Sequence, residues 1–310
     1  MAQSSKITKI LVTGGTGQLG TELKNNENNS NFHFFFPTSD DFNLANTETI
    51  KNYLDKYDFN LILNLAAYTN VDRSETDREN AKLINERGVE FLAEETYKRK
   101  LGLIHASTDY VFGGVDSGPY FSNSQKSPLN YYGLTKSHGE DQALIKNSNC
   151  LIIRFASLFS EYGNNFIKTM VKAILDNDDV KVVSDQKISM SYAGDISKNI
   201  DYLIELYSKN SNLNILHFAN KGYTDWFSVT KVIYDEIMNL SDEDIRCELI
   251  PISVSDWSSE AERPLDSRLY VDYKLLEENQ IYLNSWEEAV RLVVKKIFPK
   301  ILEERDNEKF

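Results

Sequence analysis

Cysteine is scarce in this chain: two residues, Cys150 and Cys247, in 310. They exclude a disulfide framework and offer no metal-ligand spacing. Cys150 heads the apolar run Leu151-Ile152-Ile153, so a buried thiol is expected. None of His33, His105, His138 and His217 pairs at ligand spacing with Cys, Asp or Glu, so no catalytic metal is expected. Long apolar runs are also missing. No window approaches the roughly 18 uncharged residues of a membrane span. The start Met1-Ala2-Gln3-Ser4-Ser5-Lys6 has no apolar stretch behind it, so no secretory signal and a reducing cytoplasm are expected. Basic charge is short: 34 Lys and Arg against 47 Asp and Glu leave a net charge of −13. Such a surface repels phosphate backbones and anionic lipid, which excludes nucleic acid and membrane as partners. An anionic ligand must then be met by local cations.

The length exceeds what one small core holds, so a large domain with a smaller lobe is expected. Short apolar runs (Ile10–Thr13, Phe32–Phe36, Leu61–Leu65, Leu101–Ser107, Leu151–Arg154) alternate with helical patterns near Gly20–Asn25, Thr47–Tyr57, Glu79–Lys98 and Tyr132–Ile145. Unalternating apolar strands separated by helices predict an α/β fold, a doubly wound parallel Rossmann sheet with ligands over the carboxyl ends of its strands. Beyond Arg154 the alternation loosens. Helices are predicted at Asn165–Leu175, Asp195–Tyr207, Asp225–Met238 and Ser285–Ile297, and strands at Val180–Ser184 and Ile215–Ala219. The expected division is a nucleotide-binding domain over 6–157 with parts of about 180–219, and a partly interleaved lobe over 158–178 and 220–310. The polar stretch Asn25–Asn31 reads as a turn without function.

The first strand runs into Thr13-Gly14-Gly15-Thr16-Gly17-Gln18-Leu19-Gly20 and then a helix. Gly15, Gly17 and Gly20 fit G-x-G-x-x-G, and Gly14, Gly17 and Gly20 fall three apart. Glycines allow the tight turn and close backbone approach, and amides at a helix N-terminus hold a pyrophosphate, so dinucleotide binding is predicted. The second strand ends Phe36-Pro37-Thr38-Ser39-Asp40-Asp41. Hydroxyls stand where an acid would take the ribose 2′-hydroxyl; Thr38 and Ser39 can donate to a 2′-phosphate. This tilts the expected cofactor to NADPH, with NADH the alternative.

Tyr132 and Lys136 stand one helical turn apart, downstream of Ser107-Thr108-Asp109-Tyr110. A tyrosine at i and a lysine at i+4 share a face, and a neighbouring cation favours phenolate over a phenol whose ordinary pKa is about 10. The Thr108 hydroxyl can bond the same substrate oxygen, giving a proton-donating site for carbonyl reduction. Spacing alone is weak, since Tyr270 and Lys274 repeat it. The first pair differs by its context, a Ser-Thr strand end and a Pro-Leu-Asn turn. Trp226 and Trp257 read as lobe core rather than as ligand platforms.

These segments resemble the extended short-chain dehydrogenase/reductases, and within them the dTDP-4-dehydrorhamnose reductase family. Carrying the likeness are Gly14–Gly20, Asn64-Leu65-Ala66-Ala67-Tyr68-Thr69-Asn70-Val71-Asp72, Ser107–Gly113, Ser127–Lys136, Gly163-Asn164-Asn165-Phe166, Asp225-Trp226 and Arg263-Pro264-Leu265-Asp266-Ser267-Arg268-Leu269. The resemblance implies NAD(P)H-dependent reduction of the 4-keto group of a dTDP-linked 6-deoxyhexose. It makes Thr108, Tyr132 and Lys136 the catalytic set, with Lys136 also on the nicotinamide ribose. It lines the cofactor with Gly14, Gly17, Gln18, Leu19, Gly20, Asn43, Leu44, Ala66, Ala67, Tyr68 and Thr69. It puts Asp72, Asp109, Asn165, Arg263 and Arg268 on the sugar-nucleotide side, where guanidinium forks suit a diphosphate. A homodimer is implied by the resemblance alone.

The chain departs from the family pattern at Phe155-Ala156-Ser157, where Thr-Ser-Trp is usual, and at Ile188-Ser189-Met190-Ser191, Leu134 and Thr38. Ser157 replaces an aromatic wall of the sugar pocket, so the chemistry is better marked than the sugar. Two other readings stand beside the reductase. One is a 4-epimerase or 4,6-dehydratase, against which Tyr110 occupies the place of the second acid/base. The other is a non-catalytic subunit resembling the beta subunit of methionine adenosyltransferase.

Overall fold

The computed structural model describes residues 8–26, 30–114, 117–242 and 245–307. Residues 6 and 7 at the expected start of the first domain, 27–29 of the polar turn, and 308–310 of the expected lobe lie outside the described residues. Strands β1 (Lys9–Thr13), β2 (His33–Phe35), β3 (Leu61–Asn64), β4 (Gly102–Thr108) and β5 (Cys150–Phe155) alternate with α1 (Gln18–Asn26), α2 (Thr47–Lys56), α3 (Val71–Ser74), α4 (Arg78–Lys82), α5 (Val89–Lys98) and α6 (Tyr131–Lys146). Then follow β6 (Leu158–Phe159), α7 (Phe166–Asp176), β7 (Asp179–Val183), β8 (Ser191–Tyr192), α8 (Ala193–Lys198), α9 (Ile200–Lys209), β9 (Ile215–Phe218), α10 (Trp226–Leu240), β10 (Glu248–Ile252), α11 (Tyr273–Glu278) and α12 (Trp286–Asn307).

Six strands form one parallel sheet in the order β2-β1-β3-β4-β5-β9. Strand order reverses between β1 and β3, so a crevice opens over their carboxyl ends. Apolar residues cover both faces because successive side chains point to opposite sides. Ile10 and Val12 pack with Leu19 of α1 and Ile200 and Leu203 of α9. Leu11 packs on the other face with Ile50 of α2, Leu92 of α5 and Ala143 of α6. The doubly wound α/β reading is therefore observed.

A separate core joins α7, α10 and α12 to β7 through Ile167, Val171, Val229, Ile233, Val290 and Val294. Here β7 pairs with β10, and the two-residue strands β6 and β8 pair with each other. The helix expected at Asp195–Tyr207 is two, α8 and α9. They break at Asn199, whose side chain donates to Tyr282 O at 3.0 Å and ties the break to a distant loop. The helix expected at Glu79–Lys98 contains a π-helical stretch, Leu83–Gly88. It delivers the buried Asn85 to the loop after β3, where its amide accepts from Tyr68 N at 2.9 Å and donates to Tyr68 O at 3.0 Å. An α-helix widened by a residue re-aims side chains in this way, often beside functional sites. Trp257 lies half exposed after a short 3-10 turn, outside any core.

Candidate active site

The carboxyl ends of β1, β3, β4 and β5 border a cleft of about 630 Å³. Gly14, Gly17, Gln18, Leu19 and Gly20 form one wall, with Ala67 and Thr69 beside them. Gly14 has φ of 68°, a left-handed value that glycine adopts without cost. At Gly20 a Cβ would stand 2.3 Å from Gly14 O and 2.6 Å from Gly15 Cα, so α1 can approach the loop only because that atom is missing. The nine-residue helix α1 starts from this loop, and the first amides of a helix have no partner within it. The cradle fits a pyrophosphate. Gly20→Val must push the loop apart and is expected to weaken NADPH binding about ten- to hundredfold in a fluorescence titration. An unchanged Kd would contradict this role for the loop.

Thr108, Tyr132 and Lys136 line the same cleft. Asn130 caps α6 by accepting from Gly133 N at 2.8 Å, and its amide donates to Glu262 O at 2.8 Å, which fixes the helix start against the second lobe. Gly133 lets this first turn lie against the Tyr110 carbonyl, which a Cβ would approach to 2.1 Å. Tyr132 is thereby presented to the end of β4. Its surroundings strip the phenol of water and push its pKa above the ordinary value, while the Thr108 hydroxyl hydrogen-bonds it and works the other way. Phenolate is thus not the resting form. The cation that the spacing promises does not act on the phenol: the Lys136 ammonium donates to Ala106 O at 2.6 Å. Lys136 is itself lowered to about 8 by burial, with Glu140 opposing. Asp109 accepts from Thr108 Oγ1 at 3.0 Å and is raised to about 6 by burial.

Arg263 enters the cleft wall from the other side. Its Nη2 donates to Asp72 Oδ2 at 2.8 Å and its Nη1 lies 3.5 Å from the Tyr110 hydroxyl. Burial pushes Asp72 upward, but bonds from the Ala261 amide, the Ser259 hydroxyl and Arg263 outweigh it and hold the carboxyl low. Arg268 is placed differently: its guanidinium is forked onto Asp266, donates to Gly118 O at 2.7 Å and lies over the Tyr223 ring. Asn165 caps α7 and donates to Gln18 Oε1 at 3.0 Å, linking lobe to glycine loop rather than facing the cleft. Ser157 lines the cleft with φ of 43°, a left-handed value that costs a serine energy. Thr38 and Ser39 are exposed beyond β2, where the Thr38 hydroxyl donates to Asp41 at 2.7 Å. Leu44 is buried among the helices on one sheet face, and Asn43 closes its own turn by accepting from Ala45 N. The Ala66 amide bonds Thr13 Oγ1, and the Tyr68 hydroxyl donates to Asp77 at 3.1 Å.

The cleft also has walls that the sequence reading did not assign to it. Phe166 and Trp226 pack with ring centroids 4.4 Å apart and both line it, so Trp226 serves lobe core and cleft together. Tyr110 lies edge-on to Tyr132 at 6.0 Å. Among the described residues no helix is long and apolar enough to cross a membrane, and no three His, Cys, Asp or Glu gather as for a metal.

The RmlD substrate binding domain model matches residues 8–298. The chain belongs to that family, the dTDP-4-dehydrorhamnose reductases among the extended short-chain dehydrogenase/reductases. It is 31% identical over 288 residues to the dTDP-4-dehydrorhamnose reductase of Aggregatibacter actinomycetemcomitans, covering 92% of this chain and 98% of that one. Crystal structures of such reductases from Clostridium acetobutylicum and, with NADP, from Bacillus anthracis superpose with TM-scores of 0.84 and 0.83. Each is 27% identical to this chain, covering 94% of it and 99% of the other. As a member of this family the chain is an NAD(P)-dependent reductase with a nucleotide-sugar substrate-binding domain.

Proposed function

We propose that this chain reduces the 4-keto group of a dTDP-linked 6-deoxy-4-ketohexose with NADPH, converting dTDP-4-dehydro-L-rhamnose to dTDP-L-rhamnose for surface polysaccharide in the cytoplasm. The observation that carries the reading is one cleft in which Thr108, Tyr132 and Lys136 lie between the glycine loop and Arg263. Residues 6–157 with parts of about 180–219 then hold the coenzyme, and 158–178 with 220–310 the sugar nucleotide. The coenzyme, when bound, supplies hydride to C4 of the sugar. Tyr132, a phenol and so protonated at neutral pH, gives its proton to the C4 oxygen. Thr108 holds that oxygen against the phenol, and Lys136 binds the coenzyme ribose. Arg263 turns from Asp72 to the diphosphate, a charged group for which its fork is suited.

Arg263→Met is therefore expected to raise KM for the nucleotide sugar about ten- to hundredfold, the loss of one or two charge-assisted bonds. Its kcat should change little. A KM within twofold of wild type would take Arg263 out of the site. Ser157 in the cleft wall favours a second reading, a different nucleotide-linked 4-ketosugar. The deciding experiment is NADPH and NADH oxidation with enzymatically generated dTDP-4-keto-L-rhamnose. Turnover with NADPH supports the first reading. NADPH binding without turnover shifts the weight to the second, or to a non-catalytic role.

A further inference from the structure

Phe166 and Trp226 are two large rings on the cleft wall that the reaction just described leaves without a task. Each is the first residue of a lobe helix, α7 or α10, and each is only partly buried. Their helix starts are tied down. Asn165 caps α7 by accepting from Lys168 N at 3.2 Å, and Asp225 caps α10 by accepting from Ser228 N at 2.8 Å. Just ahead of the second cap, Ile188 and Thr224 exchange backbone hydrogen bonds at 2.8 and 3.0 Å, which fixes the approach to Trp226. The two rings meet at 4.4 Å between centroids, so each braces the other. Lobe core alone does not account for them. Further along the same helices Ile167, Val171, Val229 and Ile233 are wholly buried, whereas these rings reach the open cleft.

Charge leaves a share of the nucleotide's binding for such rings to supply. Among the described residues lining the cleft the cations are Lys136, beside the reacting tyrosine, and Arg263, already paired with Asp72. A diphosphate entering a chain of net charge −13 gains little from so few cations. A nucleotide base brings apolar contact instead, since every base has a π-face that stacks on aromatic rings. We propose that Trp226, braced by Phe166, is the stacking platform for the pyrimidine base of the sugar nucleotide. The sugar lies at Thr108 and Tyr132 and the diphosphate at Arg263, so the base, at the far end of the molecule, falls to the lobe helices. This rests on the reading of the substrate as a pyrimidine-nucleotide sugar and deepens it. The coenzyme carries rings of its own, but α1 and α6, which serve it, belong to the sheet domain, while both platform rings come from the lobe.

Binding of dTDP tests this on the intact protein, without turnover. The chain has three tryptophans, Trp226, Trp257 and Trp286, so protein labelled with 5-fluorotryptophan gives three 19F signals. Saturating dTDP is expected to shift the signal that Trp226→Phe removes, while inorganic pyrophosphate and NADP+ leave it in place. A signal unmoved by dTDP, or moved as far by pyrophosphate or NADP+, would overturn the proposal. Trp226→Leu is expected to weaken dTDP about ten- to hundredfold in calorimetry, the worth of one stacked base, with NADP+ affinity kept within about twofold. Trp226→Phe, which keeps a ring, should bind dTDP within about threefold of wild type. An unchanged dTDP Kd in Trp226→Leu, or a loss shared with NADP+, would also overturn it. A merely structural tryptophan would lower Tm on substitution and leave the wild-type signal unmoved by the base. If Trp226→Leu does not fold, the wild-type signal and Trp226→Phe decide. A shifted signal without ketosugar turnover keeps the platform and sinks the proposed substrate; turnover with an unmoved signal does the reverse.

Discussion

Tyr132→Phe should lose about 10³-fold in kcat, within the 10²–10⁴ that a positioned general acid contributes. The substitution keeps the ring and its edge contact with Tyr110, so the fold and the cleft stay as they are. What is lost is the one hydroxyl that Thr108 bonds at the cleft floor. NADPH affinity should stay within about twofold, because the glycine loop and Lys136 are untouched. Steady-state kinetics with a coenzyme titration separates the two quantities. A loss below tenfold would give the proton to another group, with Asp109, raised to about 6, the next in line. A combined loss of kcat and coenzyme binding would instead indicate a disturbed helix.

The largest effect on stability is expected at Glu140, one turn beyond Lys136 on α6. Its carboxylate accepts from Arg154 Nε and Nη2, both at 2.8 Å, and both side chains are about 1% exposed. Arg154 in turn donates to Ser122 O at 3.0 Å and lies over the Phe112 ring. Glu140→Gln removes the charge and keeps the shape, leaving a buried guanidinium without its counter-ion. Breaking such a pair costs about 3–5 kcal/mol, a fall in Tm on the order of 10 °C for a chain of this size. Because the pair pins α6 to β5, kcat should drop with it. The double change Glu140→Leu with Arg154→Met should recover much of the stability, since no lone charge remains. Melting of the single variant within about 2 °C of wild type would show that the pair does not hold the helix.

Where secondary structure is set by local pattern, it was legible in the sequence. The runs around Ile10, Leu61 and Leu151 became β1, β3 and β5 with shifts of a residue at their ends. Their apolar character on both faces is what a covered parallel sheet demands. The glycine loop and the Tyr132 turn were legible for a similar reason, because backbone geometry leaves few residues able to serve there. The lobe was less so. Strands β6 and β8 have two residues each and exist only because distant segments meet. The phenol could not be judged from spacing, because an i,i+4 lysine acts on it only if its ammonium is not drawn elsewhere, here to Ala106 O. The arginines show both cases. Asp266 stands two residues before Arg268, a partner visible in the sequence, whereas Asp72 is 191 residues from Arg263. The role of Trp226 in the cleft depends on Phe166 from another helix and has no local signal.

In the proposed reaction the cleft delivers hydride and proton to a sugar carbonyl at C4. It is tested most directly by following deuterium from nicotinamide-C4-deuterated NADPH into dTDP-4-keto-L-rhamnose, with the product examined by proton NMR. Stoichiometric deuterium is expected at C4 of the product, with one face of the nicotinamide used and NADP+ formed in equal amount. Deuterium retained in the coenzyme while the sugar changes configuration, or no change in either molecule, would contradict it.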